Sequence, residues 1–170
     1  GFWSESAVVN AVTCMCIART LGQSEGLNSL EGEQMYYGAI LHDIGMVAVP
    51  REIIDAPRNL TAEEYKKVKM HVHLAEKILH NRMADSVSEI VAAHHERCDG
   101  SGYPRGLREA QMNRKQQILQ LADAVTALMD KRSYRPAFGE DEMQDIIKKE
   151  TAAGKYNKTL VETFFAHYEE

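Results

Sequence analysis

Apolar positions recur with a helical period along nearly the whole chain, so the pattern predicts a protein built from α-helices. A first helix is expected over 4–21, ending before Gly22, and a second one from about Leu30 to near Gly45. The segment 46–60 contains two prolines and is predicted to be a short irregular connection. No segment alternates strictly enough between apolar and polar residues to predict a strand.

Three pairs of residues have the spacing of a capping box and mark predicted helix starts. They are Thr61 with Glu64, Ser86 with Glu89, and Asn113 with Gln116, and the helix that starts at Ser86 is expected to cover 86–96. Two further helices are expected near 139–152 and 157–169, and Asn157 is interpreted as a helix cap rather than as a glycosylation site. Together these elements predict an all-α domain of about seven helices, with residues 1–170 forming a single domain.

Composition and charge narrow the class of protein. The chain has 170 residues, of which 44% are hydrophobic, as is typical of one globular domain. Its three cysteines form no Cys-x-x-Cys pair, which predicts reduced thiols and a cytoplasmic location. The net charge of −5 argues against a DNA or RNA duplex as a partner, and the absence of a long apolar run predicts no membrane contact by this domain. Because the chain begins without Met, we expect it to be a piece of a longer regulatory protein.

Histidines lie unexpectedly on the apolar face of the helix after the Thr61 capping box. His71 shares that face with Val68 and Ala75, whereas His73 lies roughly 200° further round the helix and is expected in solvent. A single inward histidine is more often a hydrogen-bonded core residue than a metal ligand. The interpretation of His71 therefore depends on whether other polar residues point to the same place.

The same inward bias recurs on three other predicted helices, where an unpaired polar group would be costly. Including His71, the inward set consists of His42, Asp43, His71, His94, His95 and Asp123. Six nitrogen and oxygen donors on four helices predict a metal site in the core of the bundle, and the lack of thiolates favours Fe, Mn, Ni or catalytic Zn. Two carboxylates among six donors favour two ions, which can clamp a phosphoryl group when they lie roughly 3.5–4 Å apart.

Two motifs resemble a known family. "HDIG" at 42–45 resembles the signature of HD-superfamily metal-dependent phosphohydrolases, and "HHERCDGSGYP" at 94–104 is similar to the HD-GYP subfamily. That subfamily hydrolyses cyclic di-GMP in bacterial signal transduction. Flanking segments agree, namely "LTAEE" at 60–64, "LADAVTAL" at 121–128 and "RSYRP" at 132–136. The resemblance implies an HD-domain helical bundle with a metal site in its core, and a cyclic di-GMP phosphodiesterase activity.

Carried over residue by residue, the resemblance implies roles for particular side chains. The implied metal ligands are His42, Asp43, His71, His94, His95 and Asp123, with His42 and Asp43 catalytic and Asp43 shared by two divalent ions. Fe or Mn is the first expectation, and Ni, Zn and Mg are alternatives. The implied substrate contacts are Tyr103, Arg132 and Arg135, beside Gly102 and Pro104. In the family, the GYP turn is also linked to contacts with GGDEF-domain diguanylate cyclases.

The chain departs from the family pattern at two places. A lysine usually follows HDIG, but here the position holds Met46, which can neither donate a proton nor pair with phosphate. We therefore expect slow hydrolysis to pGpG and then GMP, or a module that binds a cyclic dinucleotide or a partner without cutting. A hydrolase of another cyclic dinucleotide or of phosphomonoesters is a further alternative. The first helix offers Ser6 and Asn10 but no histidine for a third metal, so two ions are expected.

Overall fold

The computed structural model describes residues 5–130 and 136–168, which form eight α-helices and two short 3₁₀ helices. The α-helices are α1 (Glu5–Ser24), α2 (Ser29–Leu41), α3 (Arg51–Ile54), α4 (Ala62–Leu79), α5 (Asp85–Val91), α6 (Arg114–Met129), α7 (Glu140–Ala152) and α8 (Lys158–Tyr168). The 3₁₀ helices cover Ile44–Ala48 and Glu109–Gln111. Within the described ranges there is no strand, so the predicted all-α class is confirmed. The extra helix is α3, a single turn inside the segment that was expected to be irregular.

The first two helices end at different places from those predicted. α1 continues through Gly22, which is buried against Leu27 at a place where an added Cβ would come within 3.1 Å of the Leu27 side chain. Tight packing therefore outweighs the low helix propensity of glycine at this position. α2 ends at Leu41 rather than near Gly45, because the chain tightens there into the 3₁₀ helix Ile44–Ala48.

Two of the three predicted capping boxes are present. They are Thr61 with Glu64 at the start of α4 and Asn113 with Gln116 at the start of α6. The prediction for Ser86 with Glu89 is wrong, because the N-cap of α5 lies two residues earlier at Ala84, which has no side-chain acceptor. Asn157 caps α8 as predicted, since its Oδ1 accepts a backbone N–H at 2.9 Å.

α6 is the central helix of the bundle. Every residue from Gln116 to Thr126 is buried, and the helix packs against α1, α2, α5 and α7. The main apolar core around it includes Leu21, Met35 and Ile147, and a smaller cluster forms where α4 meets α5. Because α6 is enclosed on all sides, each polar side chain in its middle needs a partner inside the protein.

The described residues include no helix that is both long and apolar enough to cross a membrane. All three cysteines are free thiols, with Cys14 and Cys98 buried and Cys16 exposed. Burial raises the pKa of the Cys98 thiol to about 11, so this group stays protonated and packs as a neutral side chain.

Candidate metal centre

His42 and Asp43 lie directly after α2, where the chain turns into the first 3₁₀ helix. This turn packs so closely against α4 that Gly45 has no room for a side chain, because a Cβ there would overlap the carbonyl oxygen of His71. The close approach places Asp43 Oδ1 3.3 Å from His71 Nε2. Gly45 therefore brings two candidate ligands from different helices together.

α4 presents one of its two neighbouring histidines to the site, as the helical phase predicts. His71 is 1% exposed, and its Nδ1 lies 2.6 Å from the carbonyl oxygen of Val68. His73 is exposed and pairs with Glu76 at 3.5 Å. The regular geometry of α4 thus separates a candidate ligand from a surface residue only two positions away.

His94 and His95 follow α5 rather than lie on it, so the predicted helix over 86–96 is too long. α5 ends at Val91, and the N–H groups of Ala93 and His94 bond carbonyl oxygens three residues back instead of four. This tighter winding still directs both imidazoles toward the site. His94 is fully buried, whereas His95 is half-buried at the edge of the cluster.

Asp123 contributes a second carboxylate from the middle of α6. Its Oδ1 lies 3.5 Å from His42 Nε2, and its Oδ2 lies 3.5 Å from His95 Nδ1. A carboxylate buried in a helix without such partners would cost several kcal/mol. The structure therefore brings all six sequence-predicted ligands into one cluster.

Asp43 lies between two groups of donor atoms. Its Oδ2 faces His42 Nε2 at 3.6 Å, and its Oδ1 faces His71 at 3.3 Å and His94 at 3.9 Å. The donor atoms of one group all lie within 4.8 Å of one another and belong to Asp43, His71, His94 and His95. His42 and Asp123 form the other group with Asp43. Each oxygen of Asp43 thus faces a different group, which suits a carboxylate shared by two cations.

Three histidines are held so that Nε2 points into the cluster. The Nδ1 atoms of His42, His71 and His94 lie 2.6–2.7 Å from backbone carbonyl oxygens three residues earlier, and each donates its proton there. The lone pairs of His71 Nε2 and His94 Nε2 then face each other at 3.2 Å, and His42 Nε2 is buried with no hydrogen-bond partner. Facing lone pairs repel unless they share a cation. These imidazole and carboxylate donors therefore fit a divalent transition ion.

The electrostatic environment differs between the two groups. Burial opposes charge on His42, but the carboxylates of Asp43 and Asp123 outweigh it and raise its pKa to about 9. Burial and the nearby charge of His42 lower the pKa of His94 to about 4, and burial and His94 hold the pKa of His95 well below its usual value. Positive charge is thus favoured beside the two carboxylates, while His94 and His95 stay in the neutral form that binds metals.

The cluster forms the floor of an open cleft of about 420 Å³. Tyr103 lines this cleft, with its ring centroid 4.8 Å from that of His95 and 6.4 Å from that of Tyr65. Burial raises the pKa of the Tyr103 hydroxyl, so the group remains a neutral hydrogen-bond donor. Met46 also lines the cleft, which places an apolar side chain beside Asp43 where the family usually has lysine.

The turn that carries Tyr103 is stabilised by hydrogen bonds to the side chain of Glu96. This carboxylate is fully buried and accepts the backbone N–H groups of Arg105 at 2.7 Å and Leu107 at 2.8 Å. The backbone of Gly102 lies so close to that of Glu96 that a Cβ on Gly102 would overlap the Glu96 main chain. Gly100 has a φ of +83°. Both glycines are therefore required by the shape of the turn, as its sequence predicts.

The predicted substrate contacts differ in whether they line the cleft. Tyr103 lines the cleft, whereas Gly102 and Pro104 flank it in the turn and do not line the cleft. Arg132 and Arg135 lie outside the described residues, so their role in substrate binding stays a prediction.

Sequence reasoning assigned no role to three residues that shape this site. Arg97 and Tyr65 line the cleft, and Glu96 supports the turn. Arg97 and Glu96 stand inside the quoted motif "HHERCDGSGYP", directly after two predicted ligands. Charged residues directly after two inward histidines were a signal that each one has a specific partner.

The similarity to known proteins agrees with this geometry. A sequence profile described as HD domain matches residues 4–160. The chain belongs to the HD domain family. Its HDIG motif at 42–45 and its GYP motif at 102–104 are the residues that carry the resemblance to the HD-GYP subfamily.

Curated relatives of this HD domain are longer proteins. Over 151 residues it is 33% identical to 3′3′-cGAMP-specific phosphodiesterase 1 of Vibrio cholerae, a match that covers 88% of this chain and 34% of that protein. Over 149 residues it is 34% identical to a cyclic di-GMP phosphodiesterase of Thermotoga maritima, covering 85% of this chain and 40% of the relative. The chain thus corresponds to well under half the length of either protein.

A solved structure shares the fold. Bd1817, an HDG"Y"P protein from Bdellovibrio bacteriovorus, matches with a TM-score of 0.80 and 20% sequence identity. The match covers 96% of this chain and 53% of that chain. At this level of identity the likeness shows the HD-domain bundle and no more.

Proposed function

We propose that this HD-GYP domain is a metal-dependent phosphodiesterase that hydrolyses a cyclic dinucleotide, with cyclic di-GMP as the first candidate substrate. The observation that supports it most is the buried His42 Nε2, which has no hydrogen-bond partner and faces two carboxylates at the floor of an open cleft. The names of both relatives, one a cyclic di-GMP phosphodiesterase and one specific for 3′3′-cGAMP, support the substrate class.

The donor set supports a pair of divalent ions. His42, Asp43 and Asp123 would hold one ion, and Asp43 would share the other with His71, His94 and His95. Imidazole and carboxylate donors without thiolate favour Fe or Mn, and Ni, Zn or Mg are alternatives. When bound, the metals supply Lewis acidity toward a phosphoryl group and toward water.

The cleft residues then orient the substrate over the donor cluster. The neutral hydroxyl of Tyr103 donates a hydrogen bond to a phosphate or ribose oxygen, and the predicted roles of Arg132 and Arg135 are to pair with phosphate. Hydrolysis of one phosphodiester would give linear pGpG, and a second cut would give GMP. Met46 offers no proton to the leaving ribose oxygen, so we expect slow turnover.

The position of Met46 also favours a second candidate function. An apolar side chain in the cleft, where proton donation is needed, suits a domain that binds a cyclic dinucleotide and signals without cutting it. In both cases the exposed edge of the GYP turn is the surface that we propose for GGDEF-domain partners.

The deciding experiment compares hydrolysis with binding. The domain is purified without oxygen, loaded with Mn²⁺ or Fe²⁺, and incubated with cyclic di-GMP, cyclic GMP-AMP and a phosphomonoester. We expect a linear dinucleotide product from a cyclic dinucleotide and none from the same protein carrying Asp43→Asn. Binding without product in the metal-loaded protein would favour the second candidate function, and neither binding nor product would contradict both.

A further inference from the structure

The described lining of the cleft includes the carboxylates of Asp43 and Asp123, which the proposed ions would neutralise, and that of Glu150, which pairs with Lys155 at 2.7 Å. A cyclic dinucleotide carries two phosphodiesters, and metal ions at the donor cluster would serve only the one that is being cut. The other phosphate would lie away from those ions, so a cation of the protein would be needed to offset its charge.

Among the residues that the structure describes, Arg97 is the one arginine in the lining of the cleft. Its guanidinium forms no ion pair with any described carboxylate, whereas Arg58 pairs with Glu64 at 2.8 Å and Arg114 pairs with Glu25 at 2.7 Å. Glu150 lies near enough to interact electrostatically with this half-buried guanidinium but forms no direct ion pair with it, so the guanidinium can still bind an anionic ligand directly.

Arg97 is also held in place before any ligand arrives. Its Nη1 donates to the carbonyl oxygen of Glu96 at 2.8 Å, and its guanidinium carbon lies 5.4 Å from the ring centroid of Tyr156. Tyr156 is itself fixed by a 2.9 Å hydrogen bond from its hydroxyl to Glu150. Little side-chain freedom remains to be lost on binding, and Nε and Nη2 are left to donate to two phosphate oxygens.

We propose that Arg97 binds the phosphate of the cyclic dinucleotide that is not being hydrolysed, and that it thereby selects ligands with two phosphodiesters. This inference rests on the proposed function, because it takes a cyclic dinucleotide as the ligand. An arginine fork also matches the O6 and N7 atoms of guanine. Phosphate is favoured over guanine here because hydrogen bonds between two charged groups are stronger than those to a neutral base.

The test compares Arg97→Gln and Arg97→Lys with Arg105→Gln, whose exposed side chain does not line the cleft. Binding is measured by calorimetry on metal-loaded protein with phosphorothioate analogues of cyclic di-GMP, cyclic GMP-AMP and cyclic di-AMP. Metal content and hydrolysis of bis(p-nitrophenyl) phosphate, which has a single phosphodiester, are measured in parallel.

We expect Arg97→Gln to weaken binding of every analogue that the wild type binds by a similar factor, roughly 10- to 100-fold. Arg97→Lys should lose less, and Arg105→Gln should match the wild type. Metal content should stay unchanged in all three variants, Arg105→Gln should hydrolyse bis(p-nitrophenyl) phosphate at the wild-type rate, and Arg97→Gln should lose less of that activity than of its dinucleotide affinity.

Three results would overturn the inference: unchanged affinity in Arg97→Gln, a loss confined to the analogues that contain guanine, or a loss of metal. A wild type that binds no analogue would overturn it too. A wild type that binds the analogues with help from Arg97 but never cuts the natural dinucleotides would contradict the proposed hydrolysis alone.

Discussion

The donor cluster and the cleft wall above it are held in different ways. In the cluster, His42, His71 and His94 are each fixed by a backbone carbonyl oxygen three residues earlier. On the wall, Met46 and Tyr65 line the open cleft, and the ring of Tyr65 lies 6.4 Å from that of Tyr103. The backbone of the fold therefore dictates where a metal can bind, whereas the chemistry of the wall can change with a single residue. This difference explains how one fold can carry different substrate preferences.

The largest effect is expected from a substitution in the cluster. Asp43→Ala removes the carboxylate whose two oxygens face both groups of donors. Activity on a cyclic dinucleotide should fall by roughly 10³-fold or more, since metal polarisation contributes several kcal/mol. Steady-state assays with saturating Mn²⁺ measure this loss. Asp55→Ala on the exposed surface is the control, and native turnover by Asp43→Ala would rule out the proposed mechanism.

A second substitution tests whether the backbone positions the ligands. Gly45→Ala forces a Cβ against the carbonyl oxygen of His71, and we expect a destabilisation of about 1–3 kcal/mol, or roughly 2–12 °C in Tm. Thermal unfolding followed by circular dichroism measures the shift. Gly32→Ala is the matched control, because a Cβ on that exposed helical position has open space around it. Equal Tm values for the two variants would show that the close approach at Gly45 is unimportant.

A third substitution changes the wall and leaves the cluster intact. Met46→Lys supplies a proton donor at the edge of the cleft, so kcat should rise by about tenfold with little change in metal content. Val47→Lys, on the exposed neighbouring residue, should leave kcat unchanged. A Met46→Lys variant that binds substrate and metal but is no faster would mean that leaving-group protonation does not limit the reaction.

The smallest effect is expected outside both regions. His73→Ala removes an exposed ion pair with Glu76 and should change stability by about 0.5 kcal/mol or less, with metal content unchanged. His71→Ala, two residues earlier, should lose at least one metal ion. If the two variants bound the same amount of metal, the distinction between the inward and outward faces of α4 would fail.

How far the sequence predicts this site depends on whether a feature is local. The inward position of His71 and the caps at Thr61 and Asn113 follow from regular helices, where spacing fixes direction. The structure places His94 and His95 in the cluster although the helix before them ends at Val91. Their i→i−3 winding depends on packing that the pattern of residues does not reveal.

Other features of the site depend on contacts between distant parts of the chain. The need for glycine at Gly45 arises from the main chain of α4, and the position of Arg97 arises from Tyr156 near the start of α8. Neither partner can be identified from spacing along the sequence. The motif thus indicated the chemistry of the site, and only the fold shows which wall residues accompany it.

The most direct test of the central claim is the metal content of the domain after anaerobic purification and incubation with excess Fe²⁺ or Mn²⁺. Plasma mass spectrometry on the desalted protein should find two divalent ions per chain, held by the six-residue cluster around Asp43. A protein that retains less than one ion of any transition metal under these conditions would contradict the account.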